Sequence, residues 1–176
     1  MTEADQVYGF PQAIPEEPKG PYLFGSYYRT LDYRSRLVLP PLFRPWFSQV
    51  VVVREWIGYS LTLCRPEDWL EIMARLTETE MKHLSLIEVE SLAADHTASS
   101  KIDKMGRFLI PPQLLAYAGL KPGDRTLVLG VGKRVEVWNM QKRDEFVEAM
   151  KIKSTGSTSS LLDWFLRRGG KEIHLV

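Results

Sequence analysis

Apolar positions between Tyr22 and Met150 come in short runs that alternate between strand and helix spacing. Val50 to Val53 and Ser60 to Cys64 read as the arms of a β-hairpin, and so do Thr126 to Leu129 and Val135 to Trp138. Ile57-Gly58-Tyr59 supplies the turn of the first hairpin and Gly130-Val131-Gly132-Lys133 that of the second. Each hairpin runs into a helix. Pro66-Glu67-Asp68-Trp69 opens one with Trp69, Ile72, Met73 and Leu76 on a single face, and Gln141 to Met150 forms the other with Phe146, Val147 and Met150 inward. A further helix, roughly Lys82 to Ala93, joins the two halves. Short helical turns are predicted at Pro41 to Phe43 and Pro112 to Leu115, where proline suits the first helical position.

These elements occur twice because the chain repeats itself. Leu31-Asp32-Tyr33-Arg34-Ser35-Arg36-Leu37-Val38-Leu39-Pro40-Pro41 returns 71 residues later as Ile102-Asp103-Lys104-Met105-Gly106-Arg107-Phe108-Leu109-Ile110-Pro111-Pro112. In both copies an aliphatic residue precedes Asp, Arg follows four places on, three apolar residues come next and Pro-Pro ends the run. Duplication is the simplest account. Each copy is too short to own a core, so the halves must interleave into one barrel. The expected boundaries are a disordered arm over 1–21, a first repeat over 22–68, a helical linker over 69–95, a second repeat over 96–150, and a linker with a short C-terminal helix over 151–176.

Composition narrows the function classes. The 176 residues carry a net charge of +1, so a nucleic-acid role must rest on how charge is distributed. The distribution is uneven: Met1 to Pro21 holds four acids against Lys19, and Pro66 to Asp95 holds eight acids against Arg75 and Lys82. The rest of the span from Tyr22 to Met150 carries 15 basic and 8 acidic residues. No apolar run approaches the ~20 residues of a membrane span and the N-terminus lacks the order of a signal peptide, so a cytoplasmic location is expected. Cys64 reads as a buried small hydrophobe. His83, His96 and His174 fall at no spacing that would build a metal site with it, and neither metal nor cofactor is expected.

No enzyme signature stands out. Gly130-Val131-Gly132-Lys133-Arg134 lacks the first glycine and the Ser or Thr of a phosphate loop, and no nucleophile elbow is present. Glu67, Asp68 and Glu71 sit in a first helical turn, where they complement the helix dipole. Trp69 and Trp138 fall on apolar faces and are assigned to the core, while Tyr27, Tyr28 and Trp46 stay open between core packing and base stacking. The tail, Ser154 to Ser160 followed by Leu161-Leu162-Asp163-Trp164-Phe165-Leu166-Arg167-Arg168, can dock on a neighbouring subunit or touch DNA.

The text Gly25-Ser26-Tyr27-Tyr28-Arg29-Thr30-Leu31-Asp32, the paired Asp-x-x-x-Arg motifs and Ala118-Gly119-Leu120 with the hairpin through Trp138 resemble the MraZ family of bacterial regulators, whose halves are related to AbrB and SpoVT domains. The resemblance spans about Leu23 to Met150. It implies a mainly β fold with flanking helices, a duplicated, double-split swapped-hairpin β-barrel in one chain. It also implies a ring-shaped homo-oligomer and sequence-specific binding of double-stranded DNA at direct repeats upstream of its own cell-division and cell-wall operon. Two positions depart from the family pattern. Ser35 stands where glycine is usual, which makes the first motif's shape an open matter, and Leu115 stands where the second copy commonly carries arginine.

Arginine and lysine around each motif suit that role. Arg36 and Arg107 are the candidate base-reading residues, since a guanidinium can bond a guanine edge through two parallel hydrogen bonds. Arg34 and Lys104 beside them are the candidate phosphate contacts, and Arg29 and Lys101 are further candidate DNA-binding cations. Asp32 and Asp103 are placed to bond turn amides or orient the arginines. For one copy alone, an exposed ion pair that merely closes a turn would explain the motif as well. The alternative function is a ring-forming protein-interaction or antitoxin-like module that uses the same basic loops; no small-molecule ligand is expected.

Overall fold

The computed structural model describes residues 22–48, 50–55, 57–79 and 83–154. The arm, the tail helix and its linker from 155 onward lie outside the described residues.

Among the described residues eight strands and four α-helices follow one another, with both expected hairpins among them. Strands β1 (Leu23–Thr30) and β2 (Arg36–Val38) flank the first motif, and β3 (Val50–Glu55) and β4 (Leu61–Cys64) form the first hairpin. Helices α1 (Pro66–Thr79) and α2 (Leu86–Ala93) lead to β5 (Thr97–Lys101) and β6 (Arg107–Leu109), which flank the second motif. Helix α3 (Pro112–Ala118), the hairpin β7 (Arg125–Gly132) and β8 (Arg134–Asn139), and α4 (Met140–Ser154) complete the described elements.

Pairing shows how the copies interleave. One antiparallel sheet runs β1-β7-β8-β4-β3-β5, and β2 pairs with β6 in a separate ribbon. The first strand of each copy therefore adds to the hairpin of the other. The order reads the same from both ends once each strand is exchanged for its counterpart, so a pseudo-twofold axis runs through the sheet. It passes between Thr62 and Glu136 on the central strands, and between Leu37 and Phe108 on the ribbon. Among the described residues the hydrogen-bonded pairings make these two sheets and do not close into a ring.

The swap explains why neither half stands alone. Leu31, Leu37, Leu39, Phe43, Val53, Leu61 and Leu63 from the first copy share one core with Phe108, Ile110, Leu114, Val128, Val135 and Val137 from the second. Strand alternation sends these side chains to one face, and burying each is worth roughly 1.5–3 kcal/mol.

Several local expectations shift by a few residues. The linking helix begins at Leu86 rather than near Lys82, because Ser85 caps it: its hydroxyl accepts from the Glu88 amide while Glu88 accepts from the Ser85 amide. The first proline-led turn is a 3₁₀ helix over Pro41–Trp46, whereas the second is α-helical and ends at Gly119 in the left-handed conformation. Gly130 belongs to β7, opposite Gly25, rather than to the hairpin turn, which is Gly132-Lys133. A Cβ at Gly130 would lie 2.8 Å from backbone atoms of Leu23 and Phe24, so close strand approach demands glycine there.

Trp138 is fully buried beneath Phe146, as assigned. Trp69 is half-buried, and the Arg54 guanidinium lies 5.0 Å from its ring. Trp46 is buried and Tyr27 packs edge-on against Phe43, so both serve the core; Tyr28 is 48% exposed under the Arg125 guanidinium. Cys64 is buried, and burial pushes its thiol up to about 11.

Candidate nucleic-acid interface

Both motifs fold into the same turn for a reason visible in the Asp side chain. In the first, one carboxylate oxygen of Asp32 accepts from the Arg34 and Arg36 amides at 2.9 and 2.8 Å, and the other accepts from Arg36 Nε at 2.7 Å. In the second, Asp103 accepts from the Met105 and Arg107 amides, both at 2.9 Å, and from Arg107 Nε at 2.7 Å. The backbone adds reciprocal bonds from Asp32 N to Arg36 O and from Asp103 N to Arg107 O, each 2.9 Å. The residue before each arginine takes a positive φ: 59° at Ser35 and 78° at Gly106. Ser35 thus adopts the conformation of its glycine counterpart and leaves the first turn unaltered.

These bonds set the protonation of the site. Partial burial works to raise the Asp32 carboxyl, but bonds from the Arg36 amide, its side chain and the Arg34 amide hold it below the usual carboxylate range. Asp103 is lowered chiefly by the Arg107 amide, with the Arg107 side chain and the Met105 amide assisting. The bond to Asp32 raises the Arg36 guanidinium. Both acids therefore stay ionised well below neutrality, and Arg36 stays charged. The ion pairs are partly open to water, 24% and 28% exposed at Arg36 and Asp32 and 36% and 38% at Arg107 and Asp103. Such pairs add little stability by charge alone, because water screens them. Their amide bonds do more, because they define the turn.

The two turns lie side by side across the pseudo-twofold axis. Leu39 N donates to Gly106 O at 2.8 Å, and Ile110 N donates to Ser35 O at 2.9 Å, so each copy's strand end stitches to the other copy's turn. In the ribbon Arg36 faces Leu109 and Arg107 faces Val38. Leu37 and Phe108 are buried, so alternation puts Arg36, Val38, Arg107 and Leu109 together on the outward face.

The remaining predicted residues are less symmetric. Arg34, which lies over Tyr33 at 5.3 Å, corresponds in the repeat to Met105, and Lys104 corresponds to Tyr33; all four are exposed at the turn tips. Arg29 sits within β1, bonded to Tyr28 O at 2.8 Å, while Lys101 is exposed at the end of β5. One cation escaped the sequence reading. Arg44, on the 3₁₀ helix of the first copy, donates from Nε to Leu39 O at 2.9 Å and packs on Gly106 of the second turn. With Ser48, Ile102, Asp103 and Lys104 it lines a cleft beside that turn. Its place twelve residues after Asp32, matching Leu115 after Asp103, was the available signal. Among the described residues no group of acids, histidines and cysteine is arranged to hold a metal ion, and no helix is long and apolar enough to cross a membrane.

Comparison with known proteins agrees with this architecture. Residues 93–163 match the family model described as "MraZ protein, putative antitoxin-like". The chain is 28% identical over 115 residues to a transcriptional regulator MraZ of Leuconostoc citreum, which covers 65% of this chain and 79% of that protein. It is 27% identical to the transcriptional regulators MraZ of Acetivibrio thermocellus and of Thermus thermophilus, covering 70% and 74% of this chain and 85% and 90% of theirs. These relatives carry the names of regulators and not of enzymes. The duplicated motif and the swapped hairpins stand beside these matches, which make the chain similar to the MraZ regulators.

Proposed function

We propose that the protein is a sequence-specific DNA-binding transcriptional regulator that reads DNA through the β2–β6 ribbon and its two turns. One observation carries the reading: Arg36 and Arg107 share the outward face of a two-stranded antiparallel ribbon, with Arg34 and Lys104 exposed at the adjoining tips. The major groove admits such a ribbon, and two arginines on its face can each bond a guanine edge. Asp32 and Asp103 hold the guanidinium stems and so limit the freedom lost on binding. Arg29, Lys101 and Arg44 surround the ribbon as further phosphate contacts, which counters the small net charge of the whole chain.

The reading extends to a ring of identical subunits on direct repeats upstream of the protein's own operon, in the cytoplasm at the nucleoid. A head-to-tail ring needs two different surfaces on each subunit. Two separate apolar patches support it: Tyr22, Phe24 and Leu42 beside β1, and Ile87 and Leu92 on α2. Light scattering should give a mass several times that of one 20.2 kDa chain. The family description also favours an antitoxin-like, protein-binding use of the same turns, whose tips expose Tyr33 and Met105.

The deciding experiment compares fluorescent duplexes from upstream of the operon with shuffled duplexes, for the native protein and for Arg36→Lys with Arg107→Lys. Lysine keeps the charge and loses the fork. The native protein should prefer the operon duplex by tenfold or more, and the variant should retain salt-dependent binding to both while losing the preference. Equal, weak binding of both duplexes by the native protein would defeat the DNA reading and leave the protein-binding one.

A further inference from the structure

The face of the six-stranded sheet opposite the core carries a polar row. Arg54, Thr62 and Glu136 stand side by side on β3, β4 and β8. Between this row and the first turns of α1 lies an open cavity of about 340 Å³, at the small end of ligand pockets, which run roughly 300–1,000 Å³. Four cations line it: Arg54, Arg75, Lys133 and Arg134. Two carboxylates do so as well, and each already has an arginine. Asp68 takes two bonds from Arg65 at 2.7 and 2.6 Å, and Glu71 takes one from Arg75 at 2.6 Å.

Thr62 stands at the centre of the row and is only 2% exposed, yet its hydroxyl has no hydrogen-bond partner. A buried polar group in that state is destabilising, and such groups call for an explanation. Cations outnumber carboxylates along the cavity wall, with Arg75 bonded to Glu71 and Arg134 to the buried Glu136 of the row. That surplus of positive charge, with the Thr62 hydroxyl among it, is complementary to an acceptor-rich, negatively charged guest. The neighbouring Cys64 thiol, neutral because burial pushes it up to about 11, offers such a guest no repulsion. Burial and the nearby Arg134 both disfavour the charged form of Arg54, a penalty that an anion would offset.

We propose that this cavity binds a small oxyanion ligand, a phosphate ester or a polycarboxylate, with the Thr62 hydroxyl donating to one oxygen and Arg54, Lys133 and Arg134 neutralising its charge. The site is separate from the motif turns and does not depend on the DNA reading. The test is isothermal titration calorimetry of the full chain with inorganic phosphate and, separately, with citrate, at an ionic strength held constant with chloride. At least one anion should bind saturably. Thr62→Val and Lys133→Ala should each weaken binding about tenfold, while Arg36→Lys with Arg107→Lys leaves it unchanged. Thr62→Val should also raise the Tm of the anion-free protein, since it removes an unpartnered hydroxyl, and that result separates lost binding from lost folding.

Binding of phosphate alone identifies a phosphate ester as the ligand class, and binding of citrate alone a polycarboxylate. Absence of saturable binding by either anion overturns the proposal. So does binding that survives both cavity variants, or that disappears in the motif-turn variant and thereby belongs to the DNA-facing arginines.

Discussion

The first motif turn and the second share every hydrogen bond that defines them, yet they are packed by different neighbours. In the second, Gly106 leaves a gap that Arg44 fills: a Cβ there would collide with Arg44 Nε. In the first, Ser35 supplies a Cβ in the same left-handed conformation, and the residue equivalent to Arg44 is the buried Leu115. The comparison teaches that a turn held by Asp and backbone amides keeps its shape while its surroundings, and so its charge, change. The second turn gains a cation from the first copy, and the first gains none in return.

The sharpest way to test the difference is Leu115→Arg, which forces a charge into a core site 6% exposed, at the position that matches Arg44. It should cost about 3 kcal/mol in urea unfolding. If the pseudo-twofold operation brings Leu115 to Ser35 as it brings Arg44 to Gly106, adding Ser35→Gly should recover about 1 kcal/mol of that loss, and strict additivity of the two changes would refute that placement. Gly106→Ala comes next, at about 2 kcal/mol, because it combines positive-φ strain with displacement of Arg44 from Leu39 O. Ser35→Gly alone should stabilise by about 0.5 kcal/mol, relief of strain slightly exceeding the added freedom of the unfolded chain. A loss from that change would show that the Ser35 side chain contributes something the turn needs.

The smallest effect is acid dependence, and it should be equal in the two turns. Asp32 and Asp103 have folded pKa values below their unfolded ones. Their contribution is complete above the unfolded carboxylate value near 4 and is lost as pH falls through the lower folded values. Thermal melts from pH 5 to pH 2 should steepen below about pH 4, and Asp32→Asn and Asp103→Asn should each flatten that limb by a similar amount. A flattening confined to one variant would show that the turns are not electrostatically equivalent.

Much of this was open to reading in the chain alone. The repeated Asp-x-x-x-Arg text and the two Pro-Pro stops revealed the duplication, since identical local chemistry folds into identical local turns. Strand periodicity located both hairpins, and proline marked the helical turn after each motif. Ser85-x-x-Glu88 would have located the start of α2 had the capping pair been weighed above the apolar spacing. Gly130 could not be separated from a turn glycine, because what demands it is the backbone of β1, more than a hundred residues earlier.

What only the tertiary structure decided has a common cause. The exchange of β1 and β5 between hairpins, the seating of Arg44 on Gly106 and the buried Thr62 hydroxyl beneath α1 all involve contacts between segments distant in the chain or turned to opposite faces of one sheet. Periodicity reports which face of an element is apolar and says nothing about which partner covers it. The sequence by itself determined two copies of one turn with its Asp and Arg in place; the choice of partners across the pseudo-twofold axis was left to packing, because burying one shared core satisfies both halves at once.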